Sequence, residues 1–195
     1  MITILDYGAG NVRSIGNMLK FLGCDYKISD NIDEIKKAKA LIFPGQGHFE
    51  QAIKNLENKN LIQPLKDYIK SGKRFLGICL GFQVLFEKSE EAPQIEGLSI
   101  LKGEVKKFPT KKIPQVGWNK IEVTLNNSYL TNDYFYFVNS YYVKPYDCNI
   151  ISSNSYYYGD FCSSIEKDNI CACQFHPEKS SEAGIKFFQK WIEKI

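Results

Sequence analysis

Short apolar runs, each followed by a glycine-containing turn and an amphipathic stretch, organise the first half of the chain. Ile2 to Leu5 is the first run, and Asp6-Tyr-Gly-Ala-Gly10 breaks it. Asn11 stands where a cap belongs, and Val12, Ile15, Leu19 and Leu22 then recur at helical spacing. Gly23 occupies the position where a helix end takes left-handed backbone. The pattern repeats. Ala40 to Phe43 is apolar and ends in Pro44-Gly-Gln-Gly47, and Leu61, Ile62, Leu65, Tyr68 and Ile69 form a helical stripe closed by Gly72. Arg74 to Ile78 reads as a buried strand and Leu80 to Glu87 as the helix after it. Strand, glycine turn and helix in alternation predict an α/β fold.

After about residue 95 the helical period gives way to short segments rich in β-branched and aromatic residues. These are Ile121 to Thr124, Tyr134 to Val143, Ile150 to Ser152, Phe161 to Ile165 and Ile170 to Phe175, with Asp168-Asn169 as a hairpin turn between the last two. The chain closes on a helix expected to be capped by Ser180 or Ser181, with Ile185, Phe188, Ile192 and Ile195 on one face. The expected assembly is a single domain over residues 1–195. It is a mainly parallel sheet with helices on both faces, extended by antiparallel strands.

Composition narrows the function classes. Lys and Arg number 25 against 22 Asp and Glu, a formal net charge of +3. That balance lacks the basic footprint of a nucleic-acid binder. No run approaches the roughly 18 apolar residues of a membrane span. The opening residues lack the basic and long apolar regions of a signal peptide. A cytoplasmic, reduced protein is therefore expected, with its six cysteines as free thiols.

One of those cysteines sits apart. In Phe75-Leu-Gly-Ile-Cys-Leu-Gly-Phe82 an apolar strand runs into Gly-x-Cys-x-Gly and then a helix, the cysteine form of a nucleophile elbow. The crowded turn demands glycine at 77 and 81. It lifts the Cys79 sulfur out at the strand's carboxyl end, beside a helix N-terminus. The bland reading is a core cysteine in a glycine turn. A nucleophile needs a base, and there are two histidines. His176 lies in Gln174-Phe-His-Pro-Glu178, where Pro177 stiffens the loop and Glu178 can orient the imidazole. His48 follows Pro44-Gly-Gln-Gly47 and reads as an ordinary loop residue. The glycines before it suit an oxyanion hole, with the Gly47 region and the Leu80 N–H as donors. Cys171-Ala-Cys173 offers two thiols on one strand face, short of the four ligands of a zinc site, so no metal is expected.

Pro44-Gly-x-Gly47, Gly77-Ile-Cys-Leu-Gly81 with Gln83, and Gln174-Phe-His-Pro-Glu178 together resemble the class I (triad) glutamine amidotransferases. Asp6-Tyr-Gly-Ala-Gly-Asn11, Pro114-Gln-Val-Gly-Trp-Asn119 and Phe175-His-Pro-Glu-Lys-Ser180 narrow this. They are similar to the glutaminase subunits of imidazole glycerol phosphate synthases. The resemblance implies a triad of Cys79, His176 and Glu178, with glutamine as substrate and no cofactor. It implies that Gly45, Gln83 and Asn139-Ser-Tyr141 hold glutamine. It also implies a heterodimer with a (β/α)₈ cyclase that receives ammonia for histidine biosynthesis, met by Asn11, Trp118, Tyr136 and Lys179. Core packing is the rival role for Trp118 and Tyr136, and a solvated charge for Lys179. Asn139, Phe82 and Gln46 stand where the family commonly has His, Met and Val. These departures leave open a paralogous subunit serving amidino-sugar synthesis. Two more distant readings compete with both: a stand-alone cysteine hydrolase of related fold, and a non-catalytic binding subunit that has kept the fold.

Overall fold

A computed structural model describes residues 1–195. The first half alternates strands and helices, as the pattern predicts, with more elements than the pattern marks. Strand β1 (Ile2–Leu5) leads to α1 (Val12–Phe21), β2 (Tyr26–Ser29), α2 (Ile32–Lys37) and β3 (Ala40–Phe43). Then come α3 (Phe49–Asn58), α4 (Ile62–Lys70), β4 (Arg74–Ile78) and α5 (Leu80–Gln83). The second half is mostly strands: β5 (Lys88–Ser89), β6 (Gly103–Lys107), β7 (Gln115–Val123), β8 (Asp133–Asn139), β9 (Tyr141–Pro145), β10 (Ile151–Tyr156), β11 (Asp160–Lys167) and β12 (Ile170–Cys173). Helix α6 (Ser181–Ile192) ends the fold.

The sheet runs β2-β1-β3-β4-β12-β11-β10-β7-β8. Its first five strands are parallel, and the rest continue antiparallel. Strands β1, β3 and β12 are buried along their whole length, as expected where both faces are covered. Their side chains alternate between two separate cores. Leu41 and Phe43 join one, with α2 to α5 packed on it, while Ala40 and Ile42 join the other under α1 and α6. No helix is long and apolar enough to cross a membrane.

Several local expectations hold. The Asn11 side chain accepts from the Ser14 N–H, Gly23 takes φ +71°, and Asp168-Asn169 forms the two-residue turn between β11 and β12. Others need correction. The helix after Cys79 is a single turn, because the 97–101 segment takes the carbonyls that would extend it. The N–H groups of Leu98, Ile100 and Ser99 donate to Val84, Leu85 and Phe86 at 2.7, 2.9 and 3.3 Å. The Tyr134 to Val143 run is two strands broken at Ser140, and β7 begins at Gln115, well before Ile121. The Ser180 hydroxyl does not cap α6; it donates to the His176 carbonyl and accepts from the Tyr136 N–H. The core face of α6 is Gly184, Phe187, Phe188 and Trp191, one position off the stripe read from the sequence, and Ile195 is exposed. Five elements, β2, α2, α3, β5 and β6, were not anticipated at all.

The register of β4 against β12 positions the chemistry. Ile78 pairs with Cys173, so the residues following each strand emerge side by side at one edge of the sheet. Helix α6 then holds the returning loop through close contact: a Cβ on Gly184 would lie 1.8 Å from the Pro177 carbonyl oxygen. Gly184→Ala sets a helix-propensity gain of about 1 kcal/mol against overpacking of about 1–3 kcal/mol on rigid backbone. The overpacking wins, so the variant unfolds at lower urea concentration than the parent; an equal or higher midpoint would contradict this packing.

Candidate active site

Strand β4 ends at Ile78, and Cys79 turns sharply out of it with φ 51° and ψ −103°. A non-glycine residue there carries backbone strain of roughly 1–3 kcal/mol. Three main-chain bonds hold it. The Cys79 N–H donates to the Cys173 carbonyl at 2.7 Å, and the Cys79 carbonyl accepts from Phe82 and Gln83, each at 3.1 Å. The glycines around it are required by space. A Cβ on Gly77 would meet the Gly81 oxygen at 2.7 Å, and one on Gly81 would meet the Phe43 oxygen at 2.3 Å. A Cβ on Gly45 would fall 1.7 Å from the Ile78 oxygen and 2.4 Å from the Leu80 nitrogen. The Gly45 backbone therefore lies directly against the elbow. Leu80, as first residue of α5, has no intrahelical acceptor for its N–H.

His176 follows β12 on a clamped loop. Its N–H donates to the Tyr136 carbonyl at 2.8 Å, while the Tyr136 N–H donates to Ser180 Oγ at 3.0 Å. Both main-chain groups of Tyr136 thus tie the loop to β8. The imidazole Nδ1 lies 2.8 Å from Glu178 Oε1, with both side chains buried. That leaves Nε2 for the cavity, whose wall Cys79 shares with His176. The His176 pKa is raised from 6.5 to about 10. Burial opposes the charge, but the charge and hydrogen bond of Cys79, then those of Glu178, outweigh it.

These groups line a cavity of about 230 Å³. Cys79, His176, Gly45, Gly47, Leu80, Gln83, Asn139, Ser140, Tyr141 and Lys179 all form its wall. The chain brings together every residue read from sequence as nucleophile, base, oxyanion donor or glutamine contact. Glu178 stands behind the imidazole. Three others lie elsewhere. The Asn11 side chain is engaged in capping α1. Trp118 and Tyr136 are cross-strand partners on β7 and β8, rings 6.1 Å apart, and Trp118 is 52% exposed, which rules out core packing for it. His48 is exposed, off the cavity wall, with Nε2 3.9 Å from Glu91 Oε1.

Sequence reasoning missed four groups. Glu91 puts a carboxylate in the cavity wall and accepts from the Phe49 N–H at 2.7 Å. It sits in an irregular loop that carried no periodic signal. Fully buried Gln174 donates from Nε2 to Cys79 Sγ at 3.4 Å. A glutamine inside an apolar strand was the available clue. Val138 contributes a carbonyl 3.9 Å from the sulfur. Tyr7, also fully buried, directs its hydroxyl at the carbonyls of Pro44 and Gln46, both at 3.3 Å. Burial pushes this phenol well above its ordinary pKa, so it remains a donor that pins the glycine loop. Among buried polar atoms, Asn139 Oδ1 and Glu178 Oε2 have no partner. No group of three or more metal-ligating side chains is present.

A family model described as "Glutamine amidotransferase class-I" matches residues 3–194. The chain is similar over its whole length to proteins named "Imidazole glycerol phosphate synthase subunit HisH". The one from Prochlorococcus marinus subsp. pastoris is 46% identical over 202 residues, covering 100% of this chain and 98% of that one. The one from Caldanaerobacter subterraneus subsp. tengcongensis is 45% identical over 200 residues, covering 100% and 98%. Among solved structures, "Crystal structure of glutamine amidotransferase" matches with a TM-score of 0.80 at 19% identity, covering 98% of this chain and 97% of that one. "Structure of PurLQS from Thermotoga maritima" matches with a TM-score of 0.77 at 16% identity, covering 99% and 97%. At those identities the structural matches establish the fold.

The charge on His176 depends on its neighbour, which gives a direct test. Cys79→Ser removes the two largest causes that raise the imidazole pKa and leaves Glu178 alone against burial, which lowers it. Imidazole nitrogen NMR should find His176 protonated up to about pH 10 in the parent and losing its proton at clearly lower pH in the variant. Identical titrations would separate the two side chains.

Proposed function

The chain belongs to the class-I glutamine amidotransferase family, and on that premise we propose how its residues divide the work. It is the glutaminase subunit of an imidazole glycerol phosphate synthase, as its full-length likeness to the HisH proteins supports. One amidotransferase domain spans residues 1–195. The observation that carries the reading is Cys79 and His176 in the wall of one cavity, with Glu178 hydrogen-bonded to the far side of the imidazole.

The sulfur of Cys79 attacks the side-chain amide carbon of glutamine. The carbonyl oxygen becomes an oxyanion facing the Leu80 N–H and the Gly47 region, each donor worth about 3 kcal/mol of barrier. His176 gives its proton to the leaving nitrogen, and ammonia departs. The resulting thioester is hydrolysed by water, from which His176 takes a proton; glutamate leaves and the thiolate–imidazolium pair returns. Glu178 holds the ring with Nδ1 toward itself and Nε2 toward the reacting atoms. Gly45, Gln83 and Asn139-Ser-Tyr141 form the remainder of the glutamine pocket. The Glu91 carboxylate is the complement for the substrate's α-ammonium, and the unpartnered Asn139 Oδ1 is a second acceptor.

Ammonia passes to a cyclase partner of (β/α)₈ fold in a heterodimer, for histidine biosynthesis. Asn11, Trp118, Tyr136 and Lys179 belong to the docking face. The exposed run of Val116, Trp118, Tyr134 and Val138 on β7 and β8 supports that assignment. The likeness across the full length favours this reading over an amidino-sugar paralogue or a stand-alone hydrolase. All six cysteines are free, which suits the cytoplasm.

With the cyclase and its ligand bound, His176→Ala lowers glutamine turnover by about 10²–10⁴-fold, the usual worth of a general base. Cys79→Ala abolishes both turnover and labelling by an electrophilic glutamine analogue. The subunit alone turns over slowly. Absence of ammonia from the parent complex, or labelling that survives in Cys79→Ala, would overturn the function; measurement of glutamate and of the labelled peptide decides it.

A further inference from the structure

The amide of Gln174 has one face toward the nucleophile and one toward a chain of other amides. Its orientation is decided some distance away. The Tyr141 carbonyl can only accept hydrogen bonds, and it takes Asn139 Nδ2 at 3.0 Å and Gln83 Nε2 at 3.1 Å. That fixes which end of the Gln83 amide is nitrogen. The same Nε2 donates to Gln174 Oε1 at 3.0 Å. With its oxygen committed, Gln174 must turn its nitrogen toward Cys79 Sγ, at 3.4 Å. Gln174 is fully buried, so its amide has no route to solvent, while Gln83, 5% exposed, reaches the cavity wall.

We propose that Gln174 is a catalytic residue that donates to the Cys79 sulfur and stabilises its thiolate, its orientation imposed by the Tyr141 carbonyl through Gln83. This rests on Cys79 being the nucleophile. The geometry favours the charged form of sulfur. Apart from the His176 ring, the sulfur has the Val138 carbonyl at a long 3.9 Å as acceptor and the Gln174 N–H at 3.4 Å as donor, and the donor is strengthened when the sulfur is charged. A donor to the charged form lowers a thiol pKa. The same bond acts twice in turnover. It raises the thiolate fraction before attack, and it receives the thiolate again when water expels it from the thioester. Other ionisable groups are coupled to the sulfur by charge: the His176 ring backed by Glu178, the Tyr7 phenol and the Cys173 thiol. Glu91 and Lys179 share the cavity wall. None of them changes when the Gln174 amide is replaced, so the effect of Gln174 can be isolated.

The test is the pH profile of Cys79 alkylation by iodoacetamide in the full chain. The Cys79 peptide is followed by mass spectrometry, because Cys148 is exposed and also reacts. Gln174→Leu should raise the midpoint by about one pH unit, the value of a hydrogen bond to a charged group. Gln174→Glu keeps the shape and the acceptor for Gln83 but turns a carboxylate oxygen to the sulfur, and should raise it further. Gln83→Leu frees the Gln174 amide to rotate and should give a smaller rise. Glutamine turnover should fall in kcat in the same order, with the thiolate ultraviolet absorbance following the alkylation profile. Circular dichroism confirms the fold of each variant, and Gln174→Glu carries the test if Gln174→Leu does not fold. Folded variants whose midpoints coincide with the parent's, in a parent that hydrolyses glutamine, would overturn the role of Gln174 alone. A parent with no glutaminase activity beside its partner would instead overturn the function on which it rests.

Discussion

The parallel pairing of β4 with β12 is the constraint on which the rest depends. Ile78 sits opposite Cys173, and the next N–H, that of Cys79, continues the ladder to the Cys173 carbonyl at 2.7 Å. Cys79 and His176, far apart in sequence, reach the wall of one cavity because the two strands finish together. Because side-chain direction alternates along a strand, a slip of one residue would turn every side chain of β12 to the other core. The whole-length burial of β12 between two apolar layers makes such a slip costly, so the chemistry inherits its precision from hydrophobic packing.

Around that pairing the molecule accepts local costs. Cys79 holds a left-handed backbone that its side chain disfavours, and three glycines stand where a single methyl group would strike backbone oxygen. Polar side chains enter the same region: Gln83, Gln174, Asn139 and His176 are all buried. A buried polar group left unpaired costs about 1–3 kcal/mol, and here the amides are satisfied by the Tyr141 carbonyl, by the Gln83–Gln174 bond and by the Cys79 sulfur. Buried oxygens without partners on Asn139, on its cross-strand partner Gln115 and on Glu178 mark where satisfaction stops.

Much of this was legible in the residues. The apolar runs of β1, β3 and β4, the Asn11 cap, the glycine ends and the Asp168-Asn169 turn follow from local chemistry. So do Cys79, His176 and Glu178, whose neighbours in sequence are also their neighbours in space. What escaped was set by tertiary contacts or by weak periodicity. Helix α2 has six residues and one buried side chain, too little for a period to register. Helix α3 carries a stripe of Phe49, Ala52, Ile53 and Leu56 at helical spacing, which the sequence reading left unused. The abrupt end of α5 is imposed by residues 97–101, and no pattern within the helix announces it. Glu91 and Tyr7 reach the site through folding of distant loops. Gln174 lay in plain view within its motif, but its contact with sulfur depends on Gln83 and Tyr141.

Tyr136 is placed between two audiences. Its ring stands on the outer surface of a two-stranded ribbon beside Trp118, while its peptide groups grip the segment that carries the imidazole. A protein pressing on that ribbon would have no need to enter the cavity to be felt there. Pressure on the aromatic surface would be transmitted through one residue's backbone, without intervening side-chain rotation, to the position of the base. The aromatic surface and the imidazole loop thus share a single mechanical element, and any change that loosens the ribbon would shift both together.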